Sequence, residues 1–263
     1  MCTLKSALHL CRSETMDLRN KVAVVTGGSS GIGLATAGAF IAAGAEVVIT
    51  GRRQAALDRA LEGLGPLAMA VACDSADPAQ ARALADRVRE RFGGCDIFMA
   101  NAGVNTITPS DRVSPAEYDA QFDVNTRGTF FGLQAMRPVL RDGASVIVTG
   151  SIAAGRRLHG HAVYAASKAA LAAFVAAWVA ELRERRIRVN LLSPGPVDTA
   201  ILEKLGLAEA DRPGFEAAMA AAIPAGRLGR PEEIAQVALF LASDASSFVN
   251  GIELRVDGGM SAV

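Results

Sequence analysis

Two side chains one helical turn apart carry the most specific chemistry in this sequence. Tyr164 and Lys168 stand four positions apart in Tyr164-Ala165-Ala166-Ser167-Lys168, so a helix would place them on one face. A free phenol titrates at about 10 and is a poor base at pH 7. A neighbouring ammonium favours the phenolate and makes the tyrosine a usable acid/base. Ser151, expected just past a strand, could donate to a substrate oxygen where charge develops. A second candidate lies near the N-terminus, where an apolar run leads into Thr26-Gly27-Gly28-Ser29-Ser30-Gly31-Ile32-Gly33 and then a helical pattern. A helix N-terminus offers free N–H groups and a positive dipole end, and glycines let a pyrophosphate come close to the backbone. The spacing is neither GxGxxG nor a P-loop, since no Lys-Ser/Thr follows.

These groups need strands and helices in alternation to hold them, and from Asn20 onward the sequence supplies them. Short apolar runs predict strands at Val22–Val25, Glu46–Thr50, Leu67–Cys73, Ile97–Ala100, Ser145–Thr149, Arg188–Leu192 and Ile252–Val256. Most are continuously apolar, as strands buried on both faces are. Helical patterns fall between them at Gly31–Ala43, Gln54–Leu64, Pro78–Phe92, Pro115–Leu140, Tyr164–Arg186 and Pro231–Ser243. The expected fold is α/β: one Rossmann-like, doubly wound parallel sheet of about seven strands flanked by helices. Residues 1–17 read as a flexible arm or an extended start, and 18–263 as one domain. The Gly/Pro-punctuated stretch 198–228 is expected to be a substrate loop.

The motifs together resemble the short-chain dehydrogenase/reductase family. TGGSSGIG is similar to its TGxxxGxG cofactor motif, and Asn101-Ala102-Gly103 to its NNAG, with Ala100 in place of the first Asn. Tyr164 and Lys168 match YxxxK, Ser151 lies thirteen residues before the tyrosine as in the family, and Asn125 matches the tetrad asparagine. Pro194-Gly195 matches the motif after the sixth strand. The resemblance implies an oxidoreductase that interconverts a ketone or aldehyde with a secondary alcohol. It implies Tyr164 as proton donor or acceptor, Lys168 orienting the nicotinamide ribose, Ser151 polarising the carbonyl, and Asn125 anchoring a proton relay. It also implies cofactor contacts at Gly27, Ser29, Ser30, Gly31, Ile32, Gly33, Asn101, Ala102, Gly103, Pro194 and Gly195. Further implied contacts are Asp74 to the adenine and Val197 and Thr199 to the carboxamide.

The second strand leads into Thr50-Gly51-Arg52-Arg53. An acid at its end would grip a ribose 2′-OH, whereas guanidinium matches phosphate. NADP(H) is therefore favoured, with Arg52 as clamp and Arg53 as helper, and NAD(H) remains possible. His159 and His161 could line the substrate mouth. The stretch Gly226–Ala235 resembles 3-oxoacyl-[acyl-carrier-protein] reductases, the alternative activity, although it recurs in sugar, polyol and hydroxysteroid dehydrogenases. A catalytically inactive cofactor-sensing regulator is the alternative of another class.

Composition narrows the field further. The 263 residues are 51% hydrophobic, and Lys+Arg 27 balances Asp+Glu 27, which argues against disorder and against a nucleic-acid or membrane-surface partner. Four cysteines without a CxxC pair and three histidines argue against a metal site. The longest apolar run, Ala169–Ala180, is twelve residues, short of a membrane span. A cytoplasmic enzyme is expected. Along the Tyr164–Arg186 helix, Leu171, Phe174, Val175, Trp178 and Leu182 form a stripe, opposite Ala169, Ala172, Ala173, Ala176 and Ala177. A helix apolar all round is buried on both sides, so a homodimer or homotetramer is expected. The closing arginines Arg183, Arg185, Arg186 and Arg188 read as helix-end charges.

Overall fold

Seven strands pair side by side, all parallel, in the order β3-β2-β1-β4-β5-β6-β7. They are β1 (Val22–Val25), β2 (Glu46–Gly51), β3 (Ala68–Ala72), β4 (Cys95–Ala100), β5 (Leu140–Thr149), β6 (Arg188–Pro194) and β7 (Glu253–Val256). The computed structural model describes residues 16–199 and 212–263. Of the expected arm and substrate loop, residues 1–15 and 200–211 lie outside the described residues.

Alternation along the strands sorts the core into two layers. Val24, Val48, Phe98, Val146, Val148 and Leu191 face one side, with α3 (Pro78–Phe92), α5 (Gly128–Met136) and α6 (Ala162–Glu181) over them. Ala23, Val25, Val47, Ile49, Ile97, Met99 and Ile147 face the other, beneath α1 (Gly31–Ala42), α2 (Gln54–Leu64) and α8 (Pro231–Ala242). Local chemistry starts the helices where the sequence indicates. Asp77 caps α3 by accepting the Ala79 N–H at 2.8 Å, with Pro78 in the first turn. Ser114 and Glu117 form a reciprocal capping box at the start of α4 (Pro115–Phe122).

The single helix expected over Pro115–Leu140 is three pieces. α4 passes into a π turn, Asp123–Arg127, and then α5, which ends at Met136. Pro138 has no N–H to continue the ladder, and Leu140 belongs instead to β5, paired with Cys95. The loop expected at 198–228 contains a helix, α7 (Arg212–Ala221).

α6 is twenty residues long and, by length and composition alone, apolar enough to cross a membrane. Here it is a layer of the domain. Leu171, Val175 and Trp178 are buried against the sheet, while Ala169, Ala172, Ala173, Ala176 and Ala177 are exposed. α6 ends sooner than Arg186, which adopts φ +53 after a 3-10 turn. Its closing arginines are partly spent inside the fold. Arg185 bonds Asp142 and the carbonyls of Arg137 and Leu140, and Arg188 bonds the carbonyls of Leu241 and Ser243.

Candidate active site

The C-terminal ends of β1, β4, β5 and β6 converge on one edge of the sheet, and every site residue expected from sequence within those strands' loops follows one of them. The strand order reverses at β1, which sets a crevice there, the usual ligand site of a doubly wound sheet. The turn after β1 is bent by Gly27 at φ +66 and Gly31 at φ +54, a region that favours glycine. Ser30 occupies the N-cap of α1, yet its side chain caps nothing and the first helical turn carries no acid. The opening N–H groups of α1 have no intrahelical partner, so the turn fits a dinucleotide pyrophosphate.

Gly33 has a packing role in addition to the one its motif suggests. A Cβ there would crowd the Gly27 carbonyl oxygen and lie 2.6 Å from Asn101 Nδ2. Its bareness lets α1 close on its own turn. Asn101 is the staple at this contact: its Nδ2 donates to Thr26 O at 3.0 Å and its Oδ1 accepts from Thr149 Oγ1 at 3.3 Å. Thr26, the first residue of the turn, has a role that its motif does not specify. Its hydroxyl accepts the N–H groups of Asn101 and Ala102 at 2.9 and 3.0 Å. A hydroxyl residue at a strand end beside the glycine turn was the available signal.

Ser151, Tyr164 and Lys168 come together above β5. Ser151 follows the strand, and its Oγ accepts the Ala153 N–H at 3.1 Å. The same hydroxyl bonds the phenol of Tyr164, which lowers its pKa, but burial of the phenol outweighs this and holds the pKa above its ordinary value. Lys168 is buried, its Nζ donates to Thr149 O at 2.8 Å, and desolvation pushes its pKa down to about 8. Lys168 is thus anchored on a backbone carbonyl at the end of β5.

Asn125 sits in the π turn, fully buried. Its Oδ1 accepts the Val104 N–H at 2.8 Å, and its Nδ2 donates to Val104 O at 2.9 Å and to Ser167 Oγ at 3.0 Å. A Cβ on Gly103 would stand 3.2 Å from Asn125 Oδ1 and 3.4 Å from Lys168 Nζ, so Gly103 is wedged between the two. Ser167, unremarked inside YxxxK, is the link between Asn125 and the Lys168 turn. Its type alone carried no signal, because a helical serine is more often exposed.

The remaining candidates occupy the rim. A Cβ on Gly51 would meet Ser29 Oγ at 3.0 Å, and Arg52 and Arg53 beyond it are exposed. Asp74 turns one carboxylate oxygen to the Ala76 N–H at 3.0 Å, a local Asx turn. Gly195 packs on Asp257, where a Cβ would lie 2.6 Å from the aspartate Cβ. Val197 is buried and bridges Gly229. Thr199 lies across from the phosphate turn, its Cγ2 3.3 Å from where a Gly31 Cβ would be, and Ile32 is half-buried behind that turn. His161 stands edge-on to the Tyr164 ring at 6.3 Å, while His159 is exposed.

Comparison with known proteins gives one consistent picture. A family model described as enoyl-(acyl carrier protein) reductase matches residues 27–261. The chain is 40% identical to oxidoreductase asL5 of Sarocladium schorii, across 95% of this chain and 100% of that protein. It is 38% identical to D-threitol dehydrogenase of Mycolicibacterium smegmatis, across 92% and 93%. A crystal structure of a short-chain type dehydrogenase/reductase from Mycobacterium marinum superposes with TM-score 0.88 at 33% identity, covering 95% of this chain and 98% of that one.

Proposed function

Because the chain belongs to the short-chain dehydrogenase/reductase family of oxidoreductases, we propose that it interconverts a ketone and a secondary alcohol, with Tyr164 as the acid/base and NADP(H) as the favoured cofactor. The observation that carries this reading is the meeting of the Ser151 hydroxyl, the Tyr164 phenol and the buried Lys168 at the C-terminal end of β5, the sheet edge on which the turn after β1 also opens.

Enzymes of this family use NAD(P)(H); when bound, the nicotinamide supplies or takes up the hydride. The chain's own residues do the rest. Ser151 donates to the substrate oxygen and stabilises its growing charge. Tyr164 gives its phenolic proton to that oxygen during reduction and would take it back during oxidation. Lys168, one helical turn beyond Tyr164, holds its Nζ on the Thr149 carbonyl, where it would orient the nicotinamide ribose. Asn125 fixes the wall beside Lys168. The opening N–H groups of α1 would hold the pyrophosphate, as P-turn amides do. Gly51 leaves no carboxylate to repel a 2′-phosphate, and the exposed Arg52 that follows would be the cation to pair with one. The exposed alanine face of α6 supports a homo-oligomer built across it.

The test is a panel of ketones, polyols, sugars and 3-oxoacyl thioesters assayed with both cofactors. Tyr164→Phe should keep cofactor binding and lose roughly 10²–10⁴-fold in turnover. Near-normal turnover in that variant would sink the mechanism, a higher kcat/KM with NAD(H) would overturn the cofactor preference, and thioesters outrunning every other substrate would favour the acyl-carrier reading of Gly226–Ala235.

A further inference from the structure

A cavity of about 240 Å³ lies on the β7 side of the catalytic residues, and its wall is unevenly charged. Its polar lining is Ser151, Arg156, Lys168, Glu253, Arg255 and Ser261, three cations against one acid. Glu253 is spent on Arg255, whose Nη2 donates to Oε2 of the glutamate at 3.1 Å. Lys168 is buried and Arg156 half-buried, and among the described residues neither has a carboxylate partner. Each is held by a main-chain carbonyl instead, Arg156 by Met260 and Lys168 by Thr149. A carbonyl positions a cation without cancelling its charge, and a cation withdrawn from water is ordinarily matched by an anion.

The rest of the wall is apolar. Ile152 and Ala154 come from the 3-10 turn after Ser151, Ala169 and Ala172 from α6, and Leu191 from β6. Leu191 is buried and pairs in register with the exposed Glu253, which sets an apolar floor beside a charged mouth. The volume falls just below the roughly 300–1,000 Å³ of drug-sized sites, so the space suits a small molecule. β4 and β5 stand between β1 and β6 in the sheet, so the cavity is separate from the phosphate turn that follows β1. Arg156 is also pre-organised. The Met260 carbonyl occupies one donor of a group that has five and fixes the side chain, which lowers the ordering cost of binding.

We propose that this cavity is a binding site for a small aliphatic carboxylate, with the carboxylate on the Arg156 guanidinium beside Arg255 and the alkyl chain against Ile152, Leu191 and the α6 alanines. Guanidinium and carboxylate match as paired, charge-assisted hydrogen bonds. The ligand is neither the substrate nor the cofactor. Arg156 and Lys168 line the same cavity, so a bound anion favours the charged lysine, and the site is a point from which catalysis is regulated.

The experiment titrates sodium butyrate, sodium acetate and butan-1-ol into wild type, Arg156→Gln, Arg156→Lys and Arg255→Gln by calorimetry at constant ionic strength. It is run with and without saturating NADPH, with a thermal melt of each protein. Butyrate should saturate the wild type, acetate should bind roughly tenfold more weakly for its two missing methylenes, and butan-1-ol should not bind. Arg156→Gln should weaken butyrate by at least about tenfold, whereas Arg156→Lys, which keeps the cation, should retain most of the affinity. Arg255 is exposed, so Arg255→Gln, expected to weaken binding several-fold, tests the site even where Arg156→Gln melts early. Absence of saturable butyrate binding, equal binding of butan-1-ol or of acetate, an affinity unmoved by both glutamine variants, or displacement of butyrate by NADPH would overturn the site. None of these readouts depends on turnover, so each leaves the Tyr164 chemistry to its own test.

Discussion

Replacing Lys168 with methionine should change how stability depends on pH, and the structure sets the size of the change. The ammonium is buried, and desolvation lowers its pKa from 10.5 to about 8. A difference of that size is about 3 kcal/mol by which the fold disfavours the charged form. The folded pKa is depressed, so the unfolded chain binds more protons between about 8 and 10.5. The corresponding stability is present above the unfolded value and is lost as pH falls through the folded one. Between pH 7 and pH 9.5 the wild type should therefore gain about 2 kcal/mol relative to Lys168→Met. Losing the bond to the Thr149 carbonyl costs the variant about 1–3 kcal/mol, but methionine lacks that bond at every pH, so the trend is unaffected. Urea unfolding of both proteins across this range reads the trend directly. A wild-type-to-variant difference that stays constant from pH 7 to 9.5 would refute the claim that Lys168 carries its charge at a desolvation cost.

Three further outcomes follow from the same structure. Gly33→Ala crowds a methyl against the Gly27 carbonyl, so the turn must shift; denaturant melts should show a loss of about 1–3 kcal/mol, and cofactor titration by fluorescence a weakened affinity, whereas unchanged values in both would remove the contact from the argument. Ala173→Glu places a carboxylate on the exposed alanine face of α6, and light scattering should show the oligomer dissociate; a wild type that already runs as a monomer would end that reading. Burial pushes the Cys95 thiol up to about 12, so peptide mapping after iodoacetamide at pH 8 should find Cys95 unmodified in the native protein and modified in urea, and labelling of the native protein would contradict that burial.

Much of this fold is legible in the sequence because a parallel sheet buries its strands on both faces. β1, α2 and α3 begin and end where the residue types indicate, at apolar runs, Pro78 and the glycines between. The meeting of Ser151, Tyr164 and Lys168 needed the pattern of motifs rather than any single one. What could not be read were features decided by packing. The π turn at Asp123–Arg127 leaves little trace in the hydrophobic period, because four of its five residues are polar. The raised pKa of Tyr164 and the depressed one of Lys168 come from burial, which the spacing of the two residues does not reveal, and the Thr149 carbonyl that holds Lys168 lies nineteen residues upstream of it. The packing role of Gly33 was hidden because a glycine needed for space and one needed for a ligand look the same on paper.

The bonds of Asn125 have a consequence for how one wall of the site is joined. A side-chain amide has the same donor and acceptor as a peptide group, and Asn125 offers both to Val104 as a neighbouring strand would. The amide is a surrogate for a missing strand, which is why the chain after Gly103 can be held without regular structure. Sheet pairing belongs to the main chain, so no single substitution removes both halves of it. This pairing belongs to one side chain, and a one-atom exchange such as Asn125→Asp would set an oxygen against the Val104 carbonyl and break it. The domain thus ties the π turn to the chain after Gly103 through a joint that a single codon can weaken.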